Sequence, residues 1–190
     1  MQKHFFDIGG NVGQTFDWLD TQDDNCSDHL MWIFEPSPRH FEKLIQKCKD
    51  KANTYKINLC PFGLGKETTT VKFFEKDDTM GDSFEEWTRS DHDVNNIHNG
   101  YTVIGSIVSL PEFILTNTAE DDKIFLDIDT EGSEYGMLES LLDNEEALKR
   151  VYKVIVEFHH ISRPERFLSK EELVKRFSEK GINIIHRGFA

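Results

Sequence analysis

Cationic side chains are in short supply: 22 Lys and Arg stand against 35 Asp and Glu, for a formal net charge of −13. A nucleic-acid backbone or an anionic membrane repels such a chain, so neither is expected as its main partner. Cysteine is scarce as well. The three residues Cys26, Cys48 and Cys60 are widely spaced and form no CxxC pattern. That argues against a disulfide framework or a structural zinc site and suits a reducing compartment, the cytoplasm by default. No apolar run approaches membrane-spanning length, and the first residues lack the charged and apolar regions of a signal peptide. A strand is expected within a few residues of Met1, so no leader is expected. Internal repeats, linkers and low-complexity tracts are missing too.

What remains is an ordinary globular chain. Its 190 residues, 37% of them hydrophobic, suffice for one domain with a sizeable core, expected over residues 1–190. Short apolar strands alternate with helical stretches, the pattern of βαβ units and a mostly parallel sheet flanked by helices. Strands are expected at 4–8, 30–34, 55–59, 124–128, 151–158 and 182–185. Pro38 opens a helix carrying Phe41, Leu44 and Ile45, and a short helix is expected at 110–115. Met137, Leu138, Leu141 and Leu142 mark one face of another helix. Ser169 with Glu172 makes a capping box for a helix at 170–180, which Gly181 ends. Between these units, residues 68–105 read as an insertion with an added strand at 71–74. Within it, the polar stretch 77–100 is expected to act as a lid or specificity loop.

In an open α/β sheet, ligands bind beyond the carboxyl ends of the strands. Asp7-Ile8-Gly9-Gly10-Asn11-Val12-Gly13 follows the first strand and leads into a helix near Gln14. Glycines there allow a ligand close to the backbone, and a helix N-terminus offers N–H groups to an anion. A dinucleotide fingerprint would need glycine where Ile8 stands, and Asp7 would repel a pyrophosphate but suits an ammonium group. The pattern favours S-adenosylmethionine over NAD; the alternative is a glycine turn with no ligand. Glu35 ends the second strand, where a carboxylate can take both hydroxyls of a ribose, or simply be a solvated acid.

Asp127-Ile128-Asp129-Thr130-Glu131-Gly132-Ser133-Glu134 superficially matches a calcium-binding EF-hand loop, but its twelfth position is Leu138 rather than Glu. The cluster reads instead as a base or substrate patch, a Mg²⁺ site, or an acidic helix start in which the dipole accounts for Glu131 and Glu134. His159, after Glu157 at the end of the next strand, is a candidate base, a metal ligand beside Asp129, or a surface residue.

In this order, the runs 6–13, 34–38, 129–134 and 156–159 resemble the FkbM family of S-adenosylmethionine-dependent methyltransferases. The resemblance implies a Rossmann-like class I methyltransferase fold and methyl transfer to a hydroxyl or similar acceptor on a sugar, natural product or other small molecule. S-adenosylhomocysteine would be the product. It places Asp7, Gly9, Asn11 and Gly13 at the methionine end, with Gly10 in the same run. Glu35 falls at the ribose beside Pro36, and Ser37 and Asn58 near the adenine. Asp129, Glu131 and Glu157 face the acceptor. Asp127 departs from the Lys common in the family at that position, and Gly10 from its usual Ala. Only one clear strand follows the last helix, where a class I sheet often ends in a hairpin.

Asp129 or His159 is expected to remove the acceptor proton, with Glu131 beside them and Glu157 and Glu131 touching the acceptor. Mg²⁺ is the lesser alternative and no dedicated metal site is expected. The competing reading is a non-catalytic cofactor-binding or scaffold protein. Nothing in the sequence sets an oligomeric state.

Overall fold

The computed structural model describes residues 1–22, 26–75, 101–160 and 166–187. Strand β1 (Lys3–Ile8) leads through α1 (Gln14–Leu19) to β2 (Leu30–Phe34), and α2 (Pro38–Lys51) leads on to β3 (Lys56–Cys60). The chain then forms β4 (Gly63–Gly65), β5 (Thr69–Glu75) and β6 (Tyr101–Ser109), followed by α3 (Leu110–Asn117) and β7 (Lys123–Ile128). Two helices, α4 (Glu134–Leu142) and α5 (Glu145–Leu148), precede β8 (Val151–Val156). Finally α6 (Lys170–Glu179) leads to β9 (Ile184–His186). No helix among the described residues is long and apolar enough to cross a membrane.

The main sheet runs β3-β2-β1-β7-β8-β9 with every pairing parallel. The chain winds outward from β1 to β3, then crosses back to β7 on the other side of β1. Strand order therefore reverses between β1 and β7, which puts the ligand crevice beyond the ends of those two strands. Among the described residues, the strand after α6 is β9, which pairs parallel with β8.

A small second sheet, β4-β6-β5, explains the insertion. β5 pairs antiparallel with β6, and β4 parallel with it. The sequence anticipated only β5. The glycine-flanked, three-residue β4 carries no alternation to read, and the expected lid at 77–100 lies outside the described residues.

Alternation along the strands sorts the side chains onto two faces. Phe5, Met31, Ile33, Phe125 and Ile155 pack with Phe16 and Leu19 of α1 and Leu44 and Cys48 of α2. Phe6, Ile8, Leu126, Ile128, Val154 and Val156 pack against α3, α4, α5 and α6, where Met137, Leu138 and Leu141 are fully buried. Serines cap α2 and α6, of which the sequence anticipated only Ser169. The Ser37 and Ser169 hydroxyls accept the N–H groups of His40 and Glu172 at 3.3 and 3.2 Å. The capping box is only half formed, because the Glu172 carboxylate turns outward to Arg176 at 2.8 Å.

Two glycines separate steric from conformational demands. Gly181 ends α6 at φ +79° with nothing near its missing Cβ, whereas a Cβ on Gly9, at φ +94°, would sit 1.8 Å from the Asp129 carbonyl oxygen. Gly181→Ala is expected to cost about 1 kcal/mol, the left-handed penalty alone. Gly9→Ala is expected to cost more than about 3 kcal/mol, because overlap with a fixed carbonyl adds to strain. Urea denaturation of both variants checks the difference.

Candidate functional site

The turn out of β1 is held over the end of β2. Gly9 and Gly10 both donate to the Phe34 carbonyl, at 3.1 and 3.0 Å, and the Asn11 N–H donates to Glu35 Oε2 at 2.8 Å. The other Glu35 oxygen takes the Ser37 N–H at 2.7 Å. Glu35 is therefore a clamp between two loops as well as a wall of the cavity. Gly10 is needed for a reason other than ligand approach, since a Cβ there would lie 2.3 Å from Ile33 Cγ2. Gly13 caps α1 at φ +90°.

Beneath this turn, parallel register sets Asp7 of β1 directly beside Asp127 of β7. Asp7 is 3% exposed. Thr15 of α1 donates to its Oδ1 at 3.0 Å, and its Oδ2 has no partner among the described residues. Burial pushes the Asp7 carboxyl well above the usual range, Asp127 adds to that, and Thr15 and Arg187 pull it back. Asp127, 2% exposed, is raised to about 6 by burial in spite of Arg187, whose Nη2 donates to its Oδ2 at 2.6 Å. The cation that the sequence lacks at position 127 thus arrives from the far end of the chain.

Beyond β7 the chain turns through Glu131, at φ +53°, into α4. Glu134 has a larger part there than favouring a helix dipole. Fully buried, it accepts the Gly132 N–H at 2.7 Å and the Thr130 hydroxyl at 3.1 Å on one oxygen, and the His159 N–H at 2.7 Å on the other. The Tyr135 hydroxyl donates to the His159 carbonyl at 3.0 Å. The loops after β7 and β8 are locked together this way.

The His159 ring lies among four carboxylates. Its Nε2 is 3.6 Å from Asp129 Oδ1, 3.6 Å from Glu131 Oε2 and 3.7 Å from Glu157 Oε1. Its Nδ1 is 3.4 Å from Glu134 Oε1, an ion-pair distance rather than a good hydrogen bond, since that oxygen already holds the His159 N–H. Burial would lower the imidazole, but Glu134, Glu131 and Asp129 outweigh it and raise it to about 9. At neutral pH His159 is thus a cation. The carboxyls of Asp129 and Glu157 are raised by burial and drawn back by His159 and Arg187.

A cavity of about 520 Å³ joins these groups. Asp7, Gly9, Asn11, Glu35 and Pro36 line one side, and Asp129, Glu131, Glu157 and His159 line another. Gly10, Gly13, Ser37 and Asn58 do not reach it: Ser37 is a buried helix cap, and Asn58 sits mid-strand in β3, which runs on to Cys60. The sequence missed Trp18, His40 and Arg187, together with the apolar Gly63, Leu64 and Ile107 from the small sheet. The strand-end rule would have found Arg187 had β9 been placed one residue later.

Asp129, Glu131 and His159 offer atoms within 4.8 Å of one another, close enough to share a metal ion. Mg²⁺ prefers an all-oxygen octahedral shell, which an imidazole does not suit, and no second feature of the described residues points to an ion. As it stands, the group is an ion-pair network.

The family model described as the Methyltransferase FkbM domain matches residues 7–182. The chain is similar to the crystal structure of methyltransferase FkbM from Methylobacillus flagellatus KT, at 14% identity and a TM-score of 0.44, over 75% of this chain and 30% of that one. It therefore spans under a third of that protein's length. No curated protein matches.

Because the folded His159 is raised from 6.5 to about 9, the stability it contributes is fully present below about pH 6.5 and is lost as pH rises through 9. Glu134→Gln is expected to lower the imidazole pKa in an NMR titration. It should also cost about 2 kcal/mol, the scale of a disrupted buried charge-assisted bond.

Proposed function

The chain belongs to the FkbM methyltransferase family, and on that premise we propose that it transfers the methyl group of S-adenosylmethionine to a hydroxyl of a small or carbohydrate acceptor. The observation that carries this reading is one cavity that joins a buried, half-partnered carboxylate, Asp7, to Glu35 at one end and Asp129 at the other. The residues fit the cofactor. Asp7 Oδ2 answers its ammonium, Glu35 its ribose hydroxyls, and the apolar strip of Pro36, Leu64 and Ile107 its adenine. A cavity of this size lies in the usual range for such ligands.

When bound, S-adenosylmethionine supplies an already activated methyl group, so alignment of the acceptor is the main demand on the protein. Asp129 is the base in this reading. His159 is already protonated at neutral pH, so it cannot take the acceptor proton; it holds Asp129, Glu131 and Glu157 in place as their shared counter-ion. Glu131 and Glu157 receive the acceptor's other hydroxyls. No step needs Mg²⁺. The formal charge of −13 supports a small acceptor over nucleic acid, and the buried Cys26, Cys48 and Cys60, which form no disulfide among the described residues, suit the reducing cytoplasm. No observation favours a non-catalytic scaffold.

Calorimetry with S-adenosylmethionine and S-adenosylhomocysteine tests the premise, and binding of neither at millimolar concentration would refute it. Glu35→Gln is expected to weaken both by about tenfold or more, since one charged acceptor is lost where two hydroxyls and two loop N–H groups converge. In radiolabelled transfer to whichever acceptor a screen of sugars and small hydroxyl compounds identifies, Asp129→Asn is expected to reduce turnover by about 10² to 10⁴-fold with cofactor affinity unchanged. Full turnover in that variant would remove Asp129 as the base.

A further inference from the structure

The cofactor reading above, on which this inference rests, leaves one end of the ligand without an answer. The methionine part carries a carboxylate next to its ammonium. Around Asp7 the cavity and the sheet beneath it present acids: Asp127, Asp129 and Glu157. The helix that follows the glycine turn spans six residues, and so short a helix contributes little dipole. A carboxylate needs a cation here. Among the described residues, His159 and Arg187 are the cations that line the cavity, and His159 is already ringed by four carboxylates.

The other is Arg187, where the chain leaves β9. Its backbone N–H donates to the Val156 carbonyl at 2.9 Å, which extends the β8–β9 ladder. In the alternating pattern it falls on the same sheet face as Asp7 and Asp127. Its Nη2 holds Asp127 Oδ2 at 2.6 Å, and the guanidinium lies over the Trp18 ring at 5.1 Å. The side chain is 26% exposed, and Arg187 lines the cavity. A guanidinium has five N–H donors, and no other described side chain takes one of those remaining. Residue 187 also falls outside the matched family region, 7–182.

We propose that Arg187 binds the carboxylate of the cofactor's methionine end while Asp7 binds its ammonium. Asp127 is the positioning residue that fixes the guanidinium, and Trp18 backs it. A planar fork already held on one edge by a carboxylate loses little freedom when it takes a second. Recognition of the amino-acid end is thus split between the first strand and the last, and residues after α6 complete the site.

The test uses the full chain and three ligands: S-adenosylmethionine, its decarboxylated analogue, and 5′-methylthioadenosine, which lacks the amino-acid end. Wild-type protein is expected to prefer S-adenosylmethionine over the decarboxylated analogue by about 10- to 100-fold, the scale of a charge-assisted bond. In Arg187→Gln that preference is expected to collapse towards unity, with 5′-methylthioadenosine affinity unchanged within about twofold. Arg187→Lys is expected to recover part of it. Equal wild-type affinity for the first two ligands overturns the proposal without recourse to any variant. So does an Arg187→Gln variant that keeps the preference, or one that loses 5′-methylthioadenosine as severely. If wild-type protein binds none of the three, the cofactor reading falls and this inference with it. Failure of the Arg187 assignment alone shows as wild-type binding without discrimination.

Discussion

The turn out of β1 passes so close to the Asp129 carbonyl that the Gly9 hydrogen is all that separates them. That contact lies where the winding of the sheet reverses, between the strand ends that bear Asp7 and Asp129. The Asp129 N–H donates to the Ile8 carbonyl at 2.9 Å, so the β1–β7 ladder runs to the lip of the cavity. With the backbone fixed there, Asp7 and Asp129 share one cavity. The Glu35 clamp on Asn11 and Ser37 holds the β2 side to the same frame.

Parallel strands in register have an electrostatic consequence. Asp7 and Asp127 emerge side by side on a buried face, and Asp129 and Glu157 follow on the same face towards the opening. Burial penalises each charge, and their mutual repulsion adds to the penalty. Two cations, Arg187 and His159, are spread among these carboxylates, and each draws several carboxyls back down. A positively charged ligand is therefore favoured, because it relieves a cost already present in the fold. Part of the chain's negative charge is thus concentrated around the cavity.

Much of the cavity was legible from the strand-end rule alone. The glycine turn, Glu35, Asp129, Glu131, Glu157 and His159 follow strands that their apolar runs identify. Ser37 and Asn58 show the limit of carrying positions over by resemblance: one turned inward to cap a helix, and the other sits two residues short of the strand end. Glu134 shows a different limit. A glutamate at a helix start satisfies the dipole on paper, yet its oxygens hold three groups from two separate loops.

The sequence by itself determined the parallel βαβ plan, most strand and helix positions, and the acidic strand ends, because periodicity and turn chemistry are local properties. Tertiary structure alone decided which charges meet. The His159 imidazole is raised to about 9 by carboxylates on other segments, and Arg187 reached Asp127 across sixty residues of chain. Protonation depends on burial and on neighbours through space, and strand order sets those neighbours; no spacing along the chain encodes it.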